Sequence, residues 1–101
     1  MTIEELEAIF EEENTAEYKD AQYLKFENIK NKLSNRPDLH AFLLIDKLVP
    51  SDSDIIGAAE HDEFFINVDL EDLAKALTKE DVLDLIRCGA RIEYGSICFF
   101  A

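Results

Sequence analysis

Glu63-Phe64-Phe65-Ile66-Asn67-Val68-Asp69, with the run from Leu70 to Gly89 behind it, is the stretch that decides the fold. Phe64, Ile66, Val68 and Leu70 alternate with Phe65, Asn67 and Asp69. That period of two predicts a strand with one apolar face. At Asp69 the period changes. Leu70, Leu73, Ala74 and Leu77 share one side of a short helix, 70–77, with Asp69 as its cap. Thr78 opens another, 79–88, with Asp81 three residues on and Val82, Leu85 and Ile86 as its core side. Gly89 stops it as a left-handed cap.

Toward the C-terminus, Arg91-Ile92-Glu93-Tyr94 and Ile97-Cys98-Phe99-Phe100 flank Gly95-Ser96. Glycine at the first of two loop positions reads as a type II′ hairpin over 90–101. Toward the N-terminus, Ile55 to Glu60 pairs with Glu63 to Asp69 across His61-Asp62, a first hairpin over 55–69. Pro50-Ser51-Asp52-Ser53-Asp54 is a loop. Asp38 to Val49 is leucine-rich and follows Pro37, which suits a first helical turn and predicts a helix over 38–48. A buried strand is the competing reading there, because period alone does not decide a short apolar run. Tyr23, Phe26, Ile29 and Leu33 keep helical spacing after the cap signal Asn14-Thr15-Ala16-Glu17, predicting a long helix over 15–34 that Asn35-Arg36-Pro37 breaks. Thr2 and Glu5 form a capping box for a first helix, 2–13, whose apolar stripe is Ile3, Leu6 and Phe10. The fold class that results is α+β: a small antiparallel sheet built from two hairpins and covered by about five helices, in one domain, 1–101.

The 101 residues suffice for one core, burying roughly two-thirds of the unfolded surface. No apolar run approaches the ~20 residues that span a bilayer. Met1-Thr2-Ile3-Glu4-Glu5 has neither the basic nor the apolar region of a secretory signal, so a cytoplasmic location is expected. Cys88 and Cys98 are then free thiols, and their spacing offers no zinc ligand set.

With 23 acids and 10 bases the formal charge is -13. Such a surface repels phosphate, so direct nucleic-acid or membrane binding is not expected. The charge is uneven. Residues 1–20 hold eight acids and one base, for -7, whereas residues 21–40 hold two acids and four bases, for +2.

Four chemistries compete with plainer readings. A calcium loop starting at Asp52 would use Asp54, Gly57 and Glu63, but Ile56 stands where an oxygen ligand is required. The two helices of 70–88 resemble a helix-turn-helix, yet Glu80, Asp81 and Asp84 on the second would face phosphate with the wrong sign. Cys88 at a helix C-terminus and Cys98 in an apolar strand lack the electropositive setting of a nucleophile. His61, Asp62 and Glu63 point to alternate faces of a strand and do not converge unaided. No catalytic residue, metal ligand set or cofactor is therefore assigned.

In size, acidity and lack of a catalytic motif the chain resembles the small cytosolic inhibitors, immunity proteins and phage-encoded accessory proteins that bind larger basic proteins. That likeness is compositional and implies no residue roles. The expected function is a non-catalytic interaction protein whose acidic helical face, with Glu4, Glu7, Glu11, Glu12, Glu13 and Glu17, docks a basic protein partner. Inhibition and DNA mimicry, of phage or mobile-element type, are the forms such docking would take. The alternative is a self-associating accessory domain, a homodimer paired through Phe65, Phe99 or Phe100. A weak calcium loop or a minor enzyme stands third.

Overall fold

A computed structural model describes residues 1–17 and 20–100. It contains four α-helices and one four-stranded antiparallel sheet, in the order α1 (Ile3–Thr15), a single 3-10 turn (Phe26–Asn28), α2 (Pro37–Leu48), β1 (Ile56–Glu60), β2 (Glu63–Ile66), α3 (Leu70–Ala76), α4 (Lys79–Arg87), β3 (Arg91–Glu93) and β4 (Ser96–Phe100). The sheet order is β1-β2-β4-β3, so the two halves join through β2 and β4 and leave β3 at one edge.

Local chemistry explains most of these boundaries. Thr2 and Glu5 exchange capping bonds at α1, and Thr78 and Asp81 do the same at α4, each worth about 1 kcal/mol. Pro37 takes the first turn of α2 after Arg36, which settles that segment as helix. Asp69 holds the N-cap position of α3 without a side-chain bond. Past α4, Gly89 adopts φ 102. Its N–H donates to the Ile86 carbonyl and the Ala90 N–H to that of Leu85, both at 2.9 Å. This pair of bonds is a Schellman cap.

The long helix over 15–34 does not form. Asn14 and Thr15 belong to the end of α1, where the Thr15 hydroxyl bonds back to the carbonyls of Glu11 and Glu12 instead of capping a new helix. Residues 18 and 19 lie outside the described residues. Beyond them the amides that a helix would satisfy internally find distant partners. The Gln22 N–H donates to the Glu13 carboxylate at 2.7 Å, the Leu24 N–H to the Ile86 carbonyl at 3.2 Å, and the Leu33 N–H to His40 Nδ1 at 3.0 Å. Leu24 sits at φ 63, where a helix cannot continue. Three asparagines and several aromatic residues between 20 and 35 also lower helix propensity, so tertiary bonds prevail. The segment is a strap laid over α2 and α4, with Ile29 fully buried beneath it.

The sheet departs from the sequence reading at its turns. The loop of the second hairpin is Tyr94-Gly95, not Gly95-Ser96, because Glu93 pairs with Ser96. Both loop residues have positive φ, 53 and 74, which is the type I′ turn and not II′. The first pairing carries a bulge at Gly57, where a Cβ would come within 3.1 Å of the Asn67 side chain. β2 ends at Ile66 rather than Asp69, because Asn67 turns to bond the carbonyls of Ile55 and Asp54.

One sheet face packs on the helices. Phe64 stacks on Phe99, and Phe42 from α2 meets both rings edge-on. Phe99 is therefore core, against the expectation that it be left exposed. Leu6 and Phe10 of α1 join Leu73, Val82, Leu85, Ile86 and Ile97 in the same cluster.

His40 is 1% exposed inside this core. Its Nδ1 accepts the Leu33 N–H, which places the proton of the neutral ring on Nε2, a buried atom with no partner. Burial, assisted by Lys32 and opposed by Asp84, holds its pKa below the ordinary 6.5. The unfolded chain thus binds this proton before the folded one does. Stability should fall as pH drops through 6.5, by up to about 1.4 kcal/mol per pH unit until the folded ring titrates. Urea unfolding of the wild type and His40→Gln between pH 7.5 and 5.5 (~) should show a flatter slope in the variant. Equal slopes would contradict the account.

Candidate binding cleft

A cleft of about 500 Å³ opens between the second half of α1, the strap, the end of α4 and the edge strand β3. This lies within the usual size of ligand sites, roughly 300–1,000 Å³. Phe10, Tyr23, Ile86 and Ala90 give it apolar walls, and Glu7, Glu11, Glu13 and Glu93 bring four carboxylates to it. Arg91 is the one cation among its described lining residues.

The carboxylates are not equivalent. Glu13 is half-buried and committed, because its carboxylate receives the Gln22 N–H. Gln22 in turn accepts from Arg87 Nε at 2.9 Å and from Asn28 at 3.2 Å through its side-chain oxygen. Arg87, only 9% exposed, also binds Glu80 and Asp84, each at 2.7 Å. This chain of bonds fixes the strap against α1 and α4 and so builds the cleft wall that carries Tyr23.

Arg91 is committed as well. On the outer sheet face it reaches Glu63 at 2.6 Å and Glu93 at 2.9 Å, and its guanidinium lies 3.8 Å from the Phe100 ring centre. Burial pushes the Glu63 carboxyl up, but the bond from Arg91 leaves it below its ordinary range. Glu63, Glu93 and Cys98 bring their ligand atoms within 4.8 Å of one another, and the Arg91 guanidinium is the cation bound among them.

Glu7 and Glu11 remain. Both are exposed, and among the described residues neither meets a cation at ion-pair distance. With Glu4 they fall on one row of α1. Glu12 is exposed on the face of the helix that carries Glu5, about two turns away from it. Glu17 lies past the end of α1, and its carbonyl receives the N–H groups of Asp20 and Ala21. The six acids expected to act together are therefore divided: Glu7, Glu11 and Glu13 line the cleft, and Glu4, Glu12 and Glu17 do not. Sequence reasoning missed Glu93, Tyr23 and the edge strand, because they reach α1 only through tertiary contact.

The other candidate chemistries separate. Asp52 and Asp54 sit in an exposed loop, Ile56 and Gly57 lie in β1, and Glu63 is bound to Arg91, so the calcium template is not assembled. His61 is exposed at a turn with φ 52. Burial, with Asp84 and Asp38 nearby, pushes the Cys88 thiol up to about 12. Burial, opposed by Arg91 and assisted by Glu93 and Glu63, pushes Cys98 up to about 11. Neither thiol supplies a thiolate near neutral pH. No described helix is long and apolar enough to cross a membrane.

Comparison with protein-family models, curated proteins and solved structures finds no match. The burial of the thiols has a direct check. A disulfide reagent at pH ~8 should titrate neither cysteine of the folded protein and both after unfolding in urea. Rapid titration of one thiol in the folded protein would contradict the packing.

Proposed function

We propose that this protein is a non-catalytic interaction protein that binds a basic protein partner through the cleft between α1 and β3. The observation that carries the reading is the pairing of an apolar floor with the carboxylates of Glu7 and Glu11, which meet no cation at ion-pair distance among the described residues. An amine or guanidinium on an aliphatic stem matches both parts. The stem lies on Phe10 and Tyr23, and the charge reaches the glutamates. The overall charge of -13 adds long-range steering toward a cationic partner and opposes a second copy of the same chain. Inhibition by DNA mimicry is the sharper form of this reading, with the Glu4-Glu7-Glu11 row standing in for phosphates on a basic surface.

Self-association is a second reading, supported by the outer sheet face. Phe100 is 56% exposed there, next to Arg91, while Phe65 lies 6.3 Å from the fully exposed Tyr94 ring. A salt-independent dimer by sedimentation, lost in Phe100→Ser, would favour it.

The leading reading predicts a strong salt effect. Affinity for a basic partner captured from the native host should fall steeply between about 50 mM and 500 mM salt. Glu7→Gln with Glu11→Gln should weaken it roughly tenfold, a cost of about 1–2 kcal/mol for two exposed charges, without lowering thermal stability. Glu12→Gln should have little effect. Unchanged affinity in the double variant would reject the cleft as the binding surface.

A further inference from the structure

We infer that the cleft takes its partner as an extended strand carrying Lys or Arg at alternate positions, added to the free edge of β3. The inference rests on the binding reading above and specifies the partner's shape.

The argument begins with the sheet. Among the described residues β3 is the outer strand on its side, paired only with β4. The two-residue loop Tyr94-Gly95 makes Glu93 and Ser96 the closing, hydrogen-bonded pair of the hairpin. Hydrogen-bonded and non-hydrogen-bonded pairs alternate along an antiparallel ladder. Arg91 and Glu93 therefore turn their backbone N–H and C=O toward β4, and Ile92 turns its own toward the open side. All three residues line the cleft, so this unpaired backbone belongs to its wall. An unpaired edge beside an apolar groove is the setting for strand addition, in which main-chain bonds give affinity and alternate side chains give specificity.

The side-chain spacing agrees. In an antiparallel pair, the residue opposite Ile92 points to the same face as Ile92. That is the face packed on the helices, where the Ile92 side chain joins the core. A lysine or arginine at this position lays its stem toward Phe10 and its charge toward α1. Its neighbours on the same strand face repeat at about 6.8 Å. Glu7 and Glu11 are one turn apart, about 6 Å along the helix axis. The charge pattern selects a basic segment over an acidic one, and over another copy of this chain.

Backbone methylation separates this inference from charge attraction alone. The probe is an acetylated peptide of four Thr-Lys repeats, eight residues long (~26 Å extended), with Lys at every second position. Two isomers carry the same charge and the same side chains. In one the lysine nitrogens are methylated; in the other the threonine nitrogens are. The lysine amides are the ones that would face Ile92, and the threonine amides would face solvent. By titration calorimetry at low salt, lysine methylation should weaken binding about tenfold or more, and threonine methylation should leave it nearly unchanged. Equal binding by both isomers and the parent would overturn strand addition while leaving the acidic cleft in place as the binding surface. A parent peptide that binds wild type and the Glu7→Gln, Glu11→Gln protein alike, or binds neither, would overturn both.

Discussion

Gln22 is the residue on which the arrangement of this protein turns. Its backbone N–H rests in the carboxylate of Glu13, and its side-chain oxygen gathers N–H groups from Arg87 and Asn28. Two consecutive elements, α1 and the strap, and the distant α4 are held by one side chain and its amide. With Gln22 fixed there, Leu24 crosses the end of α4 at positive φ, close against Gly89, where a Cβ would come within 3.0 Å of a leucine methyl. Tyr23 is left on the cleft wall. The strap costs backbone strain at Leu24 of order 1 kcal/mol. The bonds at both ends, from the Gln22 N–H to Glu13 and from the Leu33 N–H to His40, offset it.

The same clasp shapes the electrostatics. An acidic chain has few cations to distribute, and the fold places two of them inside its own networks. Arg87 pairs with Glu80 and Asp84, and Arg91 pairs with Glu63 and Glu93. Glu13 is spent on the strap. What remains at the cleft is the pair Glu7 and Glu11, next to apolar surface and, among the described residues, without a cation at ion-pair distance. The negative charge is thus not spread at random. Its inner members stabilise the fold, and its outer members on α1 stand where a ligand could meet them.

Much of the fold was legible in the sequence because the signals are local. Capping boxes at Thr2 and Thr78, the turn proline of α2, the glycine cap after α4 and the alternation through Phe64 and Ile66 each act within a few residues. The segment from 20 to 34 was misread for the opposite reason. Its helical spacing of Tyr23, Phe26 and Ile29 is real, but a strap that buries every third or fourth residue has the same spectrum as a helix. Only the distant partners of its amides distinguish the two. The candidate site was half legible: the sequence pointed to α1, while the division of its glutamates into bound and unbound depends on Gln22, Arg91 and β3.

Amide hydrogen exchange across residues 20–34 tests the central claim most directly. The strap predicts slow exchange at Gln22, Leu24 and Leu33, whose N–H groups are held by Glu13, Ile86 and His40, and fast exchange at Lys30, Asn31 and Lys32 between them. An unbroken run of protected amides through Lys30–Lys32 would mean a continuous helix. The clasp at Gln22, and the cleft it builds, would then be contradicted.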